Sequence, residues 1–97
     1  MFSPLYTISI NLYSFGGNYM KEFMIRFGSC QEVQDFVALS AGKSFPIIVG
    51  SDSYHVNGSS FMGMFSLDHS KPQKITVHCS DEEAEQFFQD IQRLLTN

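Results

Sequence analysis

The leading candidate for a functional residue in this chain is a serine that is well placed to carry a phosphate. Ser60 directly precedes the apolar run Phe61–Phe65, and serine is among the preferred residues at the N-cap of a helix. A phosphate is favoured there, because free backbone N–H groups and the positive end of the helix dipole lie beside the hydroxyl. The alternative is a plain helix cap, which stabilises by about 1 kcal/mol.

Four large apolar residues follow this serine within one short segment. They have two open interpretations: a surface that a partner protein contacts, or side chains that pack into the core. The four residues are Phe61, Met62, Met64 and Phe65.

The cysteines and histidines give weaker signals. Cys30 follows a candidate helix cap at Ser29, and a thiolate is favoured in the first turn of a helix; a small, inert side chain is the alternative interpretation. The histidines His55, His69 and His78 do not have the spacing of metal ligands. Because no catalytic triad, glycine-rich phosphate loop or paired-carboxylate motif is present, we expect no enzyme activity, no metal and no cofactor.

Composition limits the classes of function further. The chain has 97 residues, is 43% hydrophobic and carries a formal net charge of −4, which predicts one folded domain. Only six Lys and Arg residues are present, so we expect no nucleic-acid partner. Two cysteines without ligand spacing predict reduced thiols in a cytoplasmic protein.

The first nineteen residues differ from the rest, because they contain no charged side chain. A secretory signal needs a basic residue before its apolar region, and Pro4 with repeated polar residues is atypical of a membrane helix, so we expect no membrane association. The segment Tyr6–Leu12 alternates like a strand. Because Gly16–Tyr19 can be encoded as a purine-rich ribosome-binding sequence, we hypothesise that Met20 is the biological start. The chain then divides into an extension, 1–19, and a domain, 20–97.

From Met20 onward the pattern predicts four strands and three helices in the order βαββαβα. Alternating apolar residues predict the strands, and helical spacing after a capping serine predicts the helices. Such elements bury their apolar sides best as a four-stranded antiparallel sheet with three helices on one face, an open-faced α+β sandwich. The predicted strands are Glu22–Phe27, Phe45–Val49, Ser53–Val56 and Lys74–Cys79, and the helices follow Ser29, Ser60 and Ser80 with capping boxes at Ser29/Glu32 and Ser80/Glu83.

The segment Ser60–Leu67 resembles the regulatory-serine segment of the HPr family, the phosphocarrier proteins of the bacterial sugar phosphotransferase system. In that family a serine opens a short helix and is followed by two apolar residues, a small or polar residue, two more apolar residues, and Ser-Leu or Thr-Leu. The resemblance extends over Lys21–Leu95 and implies the same open-faced fold. It implies that Ser60 is phosphorylated by HPr kinase, that the product docks on a carbon-catabolite control repressor, and that the four apolar residues after Ser60 contact the partner.

The same resemblance implies that the carrier chemistry is missing. It places Ser29 where the family has its phosphorylated histidine, Gln31 where it has an arginine, and Glu32 where it has a proline, with Cys30 between them. Serine lacks the nitrogen that forms a phosphoramidate, and glutamine cannot grip phosphate with a charged, bidentate contact. The chain is thus similar to the catabolite-repression homologue of HPr, which lacks the histidine and keeps the serine.

Three interpretations of function remain open. The first is a regulatory protein of carbon catabolite control that is switched by phosphorylation of Ser60. The second is an interaction module that binds its partner without phosphorylation, and the third is a phosphocarrier that uses a non-standard residue. All three imply protein partners, and none predicts a particular oligomeric state.

Overall fold

A computed structural model describes the backbone at residues 12–15 and 18–20 and the complete residues 21–51 and 53–95. These residues form one five-stranded antiparallel sheet and three helices. The strands are β1 (Leu12–Phe15), β2 (Asn18–Ile25), β3 (Ile47–Gly50), β4 (His55–Asn57) and β5 (Gln73–His78), and the helices are α1 (Cys30–Ala41), α2 (Phe61–Phe65) and α3 (Asp81–Leu94).

The sheet has the strand order β1-β2-β5-β3-β4. Its register places Ile75 of β5 between Phe23 of β2 and Val49 of β3. Strands β2 to β5 and the three helices follow each other as predicted, so the four-stranded open-faced α+β fold is confirmed. Strand β1 adds a fifth strand, which pairs antiparallel with the start of β2 from Leu12 opposite Lys21 to Phe15 opposite Asn18.

Strand β1 lies within the segment that the sequence set apart as an extension. The predicted strand Tyr6–Leu12 lies outside the described residues except for Leu12. A chain that began at Met20 would keep every pair that joins β2 to β5, since these pairs run from Met20 to Ile25. It would lose β1.

The core lies between one face of the sheet and the three helices. Alternate strand residues face the helices because side chains of a strand point to opposite faces in turn. The helices meet this face with buried residues at helical spacing, and Phe36 of α1 contacts Phe87 of α3 at 5.9 Å between ring centroids. The largest fully buried side chains are Phe23, Phe36, Phe87, Ile25, Met64, Ile75, Ile91, Val33, Val49 and Val77.

The predicted helix starts are confirmed. Ser80 and Glu83 form a reciprocal capping box at α3, and the Ser29 hydroxyl accepts a hydrogen bond from the Glu32 N–H at 3.2 Å. The second half of the Ser29/Glu32 box differs from the prediction. The Glu32 carboxylate reaches past Ser29 and accepts from the N–H of Gly28 at 2.7 Å.

The observed strand ends differ from the predicted ones by a few residues. Pairing between strands determines where each strand ends, and the sequence pattern does not show this pairing. Strand β2 leaves its ladder with β5 at Ile25, before the predicted end at Phe27. Strand β3 begins at Ile47 because Pro46 has no N–H to donate to a ladder. Strand β4 runs from His55 to Asn57, slightly later than predicted.

Candidate functional site

Ser60 lies at the N-cap of α2, as the sequence predicts. Its backbone is extended (φ −94°, ψ 116°), and its hydroxyl oxygen accepts from the N–H of Gly63 at 3.1 Å. Glycine at position 63 leaves room for this cap, because a Cβ there would lie 3.0 Å from Cβ of Val56 and 3.1 Å from the Ser60 hydroxyl oxygen. Ser60 is partly exposed, so its hydroxyl is positioned both as a cap and at the surface.

Helix α2 exposes an apolar surface next to Ser60. Phe61 is 52%, Met62 84% and Phe65 42% exposed, and the rings of Phe61 and Phe65 stack with 5.7 Å between centroids. Tyr54 is 53% exposed, and its hydroxyl lies 2.8 Å from the hydroxyl of Ser66, the residue after Phe65. Together these four exposed residues form an apolar surface, which we call the docking surface after the role proposed for it; they are Tyr54, Phe61, Met62 and Phe65. The sequence prediction missed Tyr54, since nothing in its local pattern ties it to α2.

The prediction that Met64 contacts a partner is wrong. Met64 has 0% exposure and belongs to the hydrophobic core. The reason is helical geometry: two residues along a helix rotate the side chain by roughly 200°, so an exposed Met62 places Met64 on the opposite, inner side.

The entrance of α1 is open to solvent. Ser29, Cys30 and Gln31 are all exposed, and the Gln31 amide donates to Asp35 at 2.9 Å, one turn along the helix. Cys30 is a free thiol, and Cys79, the other cysteine, is also free but buried. Burial and the Glu83 carboxylate raise the pKa of the Cys79 thiol to about 11.

A carboxylate already lies at this entrance. Glu32 is only 7% exposed, and its Oε1 accepts the Gly28 N–H. A Cβ on Gly28 would lie 3.3 Å from that oxygen, so glycine leaves room for the carboxylate. Because a helix N-terminus attracts anions through its free N–H groups, a negative side chain placed there opposes a second anion.

The three histidines lie at different places in the fold. His55 and His78 are exposed strand residues. The His69 ring contacts the ring of Phe27 edge-on at 5.4 Å, and its Nε2 donates to the carbonyl of Met64 at 2.6 Å. His69 thus links α2 to Phe27, which precedes α1, and its Nδ1 is buried without a hydrogen-bond partner within the described part of the chain.

The described residues contain neither a cluster of metal-ligating side chains nor a membrane-spanning helix. No group of three or more His, Cys, Asp or Glu side chains among them could hold a metal ion. None of the helices within 12–15, 18–51 and 53–95 has the length and apolar character needed to cross a bilayer.

The fold and the serine-capped helix α2 define the class of protein. The model of the family described as "PTS HPr component phosphorylation site" matches residues 32–97, about two thirds of the chain. The chain therefore belongs to the HPr family of the phosphotransferase system, whose members are phosphocarriers that work with protein partners. The resemblance to the HPr family is confirmed, and the matched range begins at Glu32, after Ser29.

A solved structure supports the same fold. The chain is similar to HPr-C-His from Thermoanaerobacter tengcongensis, with a TM-score of 0.56 and 24% sequence identity over 78% of this chain and 89% of that chain. The comparison with curated proteins gives no match.

Proposed function

We propose that this HPr-family protein acts by binding other proteins through its docking surface and does not carry phosphate on a histidine. The exposure of Phe61, Met62 and Phe65 beside Ser60 carries this proposal. Large apolar side chains grouped at a surface are typical of sites where proteins interact. The function is thus a binding function, without catalysis.

The α1 entrance supports the part of this proposal that excludes phosphate transfer by a histidine. The sequence has no histidine before His55, and Ser29, which occupies the position that the resemblance assigns to the phosphorylated histidine, is a helix cap. A phosphoryl group at this entrance would also lie close to the Glu32 carboxylate. Both features disfavour reversible phosphoryl transfer.

Phosphorylation of Ser60 is the proposed switch. A kinase of the HPr kinase class would transfer the γ-phosphoryl group of ATP to the Ser60 hydroxyl and release ADP. The product adds about two negative charges at the edge of the docking surface, which would favour a partner with both apolar and basic groups, such as a catabolite control repressor. The proposal places the protein in the cytoplasm, where its two free thiols stay reduced.

Binding without phosphorylation is the second candidate function. The docking surface is already exposed around the unmodified Ser60 hydroxyl, and this observation favours a constitutive interaction module. The partner and its affinity would then be the same whether or not Ser60 carries a charge.

Phosphorylation and capture experiments test these proposals. Purified HPr kinase with labelled ATP should label the wild type and the Ser59→Ala control, in which the neighbouring exposed serine is removed, but not Ser60→Ala. Absence of label in the wild type would contradict the switch.

Capture of partner proteins from a lysate distinguishes the two candidate functions. If phosphorylation is the switch, the captured partners should differ between Ser60→Asp and Ser60→Ala, whereas identical partner sets support the constitutive module. Met62→Lys should lose all captured partners whether or not binding depends on phosphorylation. Unchanged capture would contradict the proposed role of the docking surface.

A further inference from the structure

Three serines lie beside helix α2, and the proposed switch acts on one of them. Ser59 and Ser60 precede the helix, and Ser66 follows it. Ser59 and Ser66 are exposed, whereas Ser60 is only partly exposed. If exposure alone decided which hydroxyl a kinase modifies, Ser60 would be the least suitable of the three. A different property is needed to select it.

The hydroxyl of Ser59 is held by a side chain of strand β4. The Oδ1 atom of Asn57, the last residue of that strand, accepts from the Ser59 N–H at 2.9 Å and from the Ser59 hydroxyl at 2.8 Å. Because a backbone N–H can only donate, the atom that it contacts is the amide oxygen, and the hydroxyl must donate its hydrogen to the same atom. The hydroxyl hydrogen of Ser59 is therefore engaged.

The hydroxyls of Ser66 and Ser60 differ in the same respect. The Ser66 hydroxyl donates to the carbonyl of Gly63 at 2.6 Å. The Ser60 hydroxyl accepts from the N–H of Gly63 at 3.1 Å, and it donates to no group among the described residues. Of the three serines beside α2, Ser60 is thus the one whose hydroxyl hydrogen remains available.

Phosphoryl transfer from ATP uses this hydrogen. A base of the kinase accepts the hydroxyl proton as the serine oxygen bonds to the γ-phosphorus, and the bond from that phosphorus to the departing ADP oxygen breaks. The Ser59 hydroxyl would first have to leave Asn57, at a cost in free energy. The product would also place phosphate oxygens beside the amide oxygen, two acceptors that have no hydrogen to share.

We propose that Asn57 is a specificity-determining residue that directs the kinase to Ser60 by engaging the hydroxyl of Ser59. The inference rests on the proposed function, because it concerns the choice between hydroxyls by the kinase proposed above. The side chain of Asn57 carries the effect. Its backbone carbonyl accepts from the Ser60 N–H at 3.0 Å, and this contact is retained when the side chain is replaced.

Mapping of the phosphorylated serines by mass spectrometry, after incubation of the full chain with HPr kinase and ATP, tests the proposal. Asn57→Ala removes the acceptor and should raise the ratio of phosphorylated Ser59 to phosphorylated Ser60 about fivefold or more, the effect of losing one ordinary hydrogen bond. Asn57→Asp is the matched control, because it keeps an oxygen acceptor at the same place and should keep the wild-type ratio. The ratio cancels effects on kinase binding that both serines share.

The outcomes separate this inference from the proposed function. Phosphate on Ser60 with an unchanged ratio in Asn57→Ala, or equal rises in Asn57→Ala and Asn57→Asp, would overturn the inference alone. Absence of phosphate from both serines of the wild type would overturn the proposed switch and the inference with it.

Amide hydrogen exchange provides a second measurement that involves no kinase. The Ser59 N–H should exchange faster in Asn57→Ala than in the wild type, because it loses its acceptor, and Asn57→Asp should retain the wild-type rate. Equal exchange rates of this N–H in all three proteins would contradict the hold of Asn57 on Ser59.

Discussion

Among single residues, Glu32 determines the charge at the entrance of α1. Its carboxylate accepts the Gly28 N–H and lies almost out of solvent. It stabilises the start of the helix and at the same time gives negative charge to a place that would otherwise attract a phosphate. The sequence indicated a carboxylate near this entrance but not its bond to Gly28, because the side chain conformation depends on how the preceding loop packs.

Replacement of this carboxylate should weaken the fold measurably. Glu32→Ala leaves the Gly28 N–H without its acceptor, so we expect the free energy of unfolding to fall by about 1 kcal/mol. Urea denaturation provides the measurement. Glu82→Ala, in the first turn of α3 at an exposed position, is the control and should change stability by less than about 0.5 kcal/mol. Equal losses in the two variants would contradict the role assigned to Glu32.

Helix α2 has one methionine at the surface, Met62, and one in the core, Met64. Met62→Ala should leave stability within about 0.5 kcal/mol of the wild type, because its side chain already lies in solvent. Met64→Ala should cost about 2–5 kcal/mol, because it leaves a cavity in the core. Urea denaturation of both variants checks the contrast, and similar costs would show that α2 is rotated differently.

Two glycines should respond in opposite ways to the same substitution. Gly50 has φ of +144°, and a Cβ there would lie 2.3 Å from the carbonyl oxygen of Tyr54, so Gly50→Ala should destabilise by about 2 kcal/mol or more. Gly42 caps α1 at φ −88°, and its nearest contact to a Cβ is an ordinary 3.6 Å. Gly42→Ala should therefore be neutral or slightly stabilising in thermal denaturation. A tolerated Gly50→Ala would contradict the turn between β3 and β4.

The helices were the elements that the sequence predicted most directly. Each begins after a serine whose side chain accepts a backbone N–H three residues on, and that signal is local. Strand ends and β1 depend on pairing between distant residues, which alternation alone does not show. For the same reason the sequence identified Phe61 and Met62 as surface candidates but could not separate them from Met64 without the orientation of α2.

At the scale of the whole molecule, one ion pair joins the end of α1 to α3. Lys43 donates to Asp90 at 3.0 Å, and this hydrogen bond is the largest of several contacts that lower the pKa of Asp90 from its ordinary value of 3.8. A carboxyl whose pKa is lower in the folded state stabilises the fold when ionised. This contribution is complete above pH 4 to 5 and is lost as pH falls through the lowered pKa.

The pH dependence of stability should reveal this pair. Between pH 5 and pH 2 the wild type should lose more stability than Asp90→Asn, because the variant has no carboxyl to protonate. Asp35→Asn, at an exposed position of α1, should follow the wild-type curve. Urea denaturation across the pH range provides the measurement, and parallel curves for wild type and Asp90→Asn would contradict the assignment.

The four-stranded part of the fold follows from local sequence patterns. Alternation in the strands, helical spacing in α1 and α3 and the serine caps together predict an open-faced sandwich, and the sheet topology and the similar solved structure confirm it. The surface function is less predictable, because a residue becomes part of a binding surface through its neighbours in space. Tyr54 is an example, because its hydroxyl lies within hydrogen-bond distance of Ser66 at the end of α2, twelve residues further along the chain.

Incubation with phosphoenolpyruvate and enzyme I of the phosphotransferase system tests the central claim most directly, with a histidine-bearing HPr as the positive control. We expect this chain to acquire no acid-labile phosphoryl group while the control becomes fully phosphorylated. An acid-labile phosphoryl group on this chain would contradict the claim that it acts by docking alone.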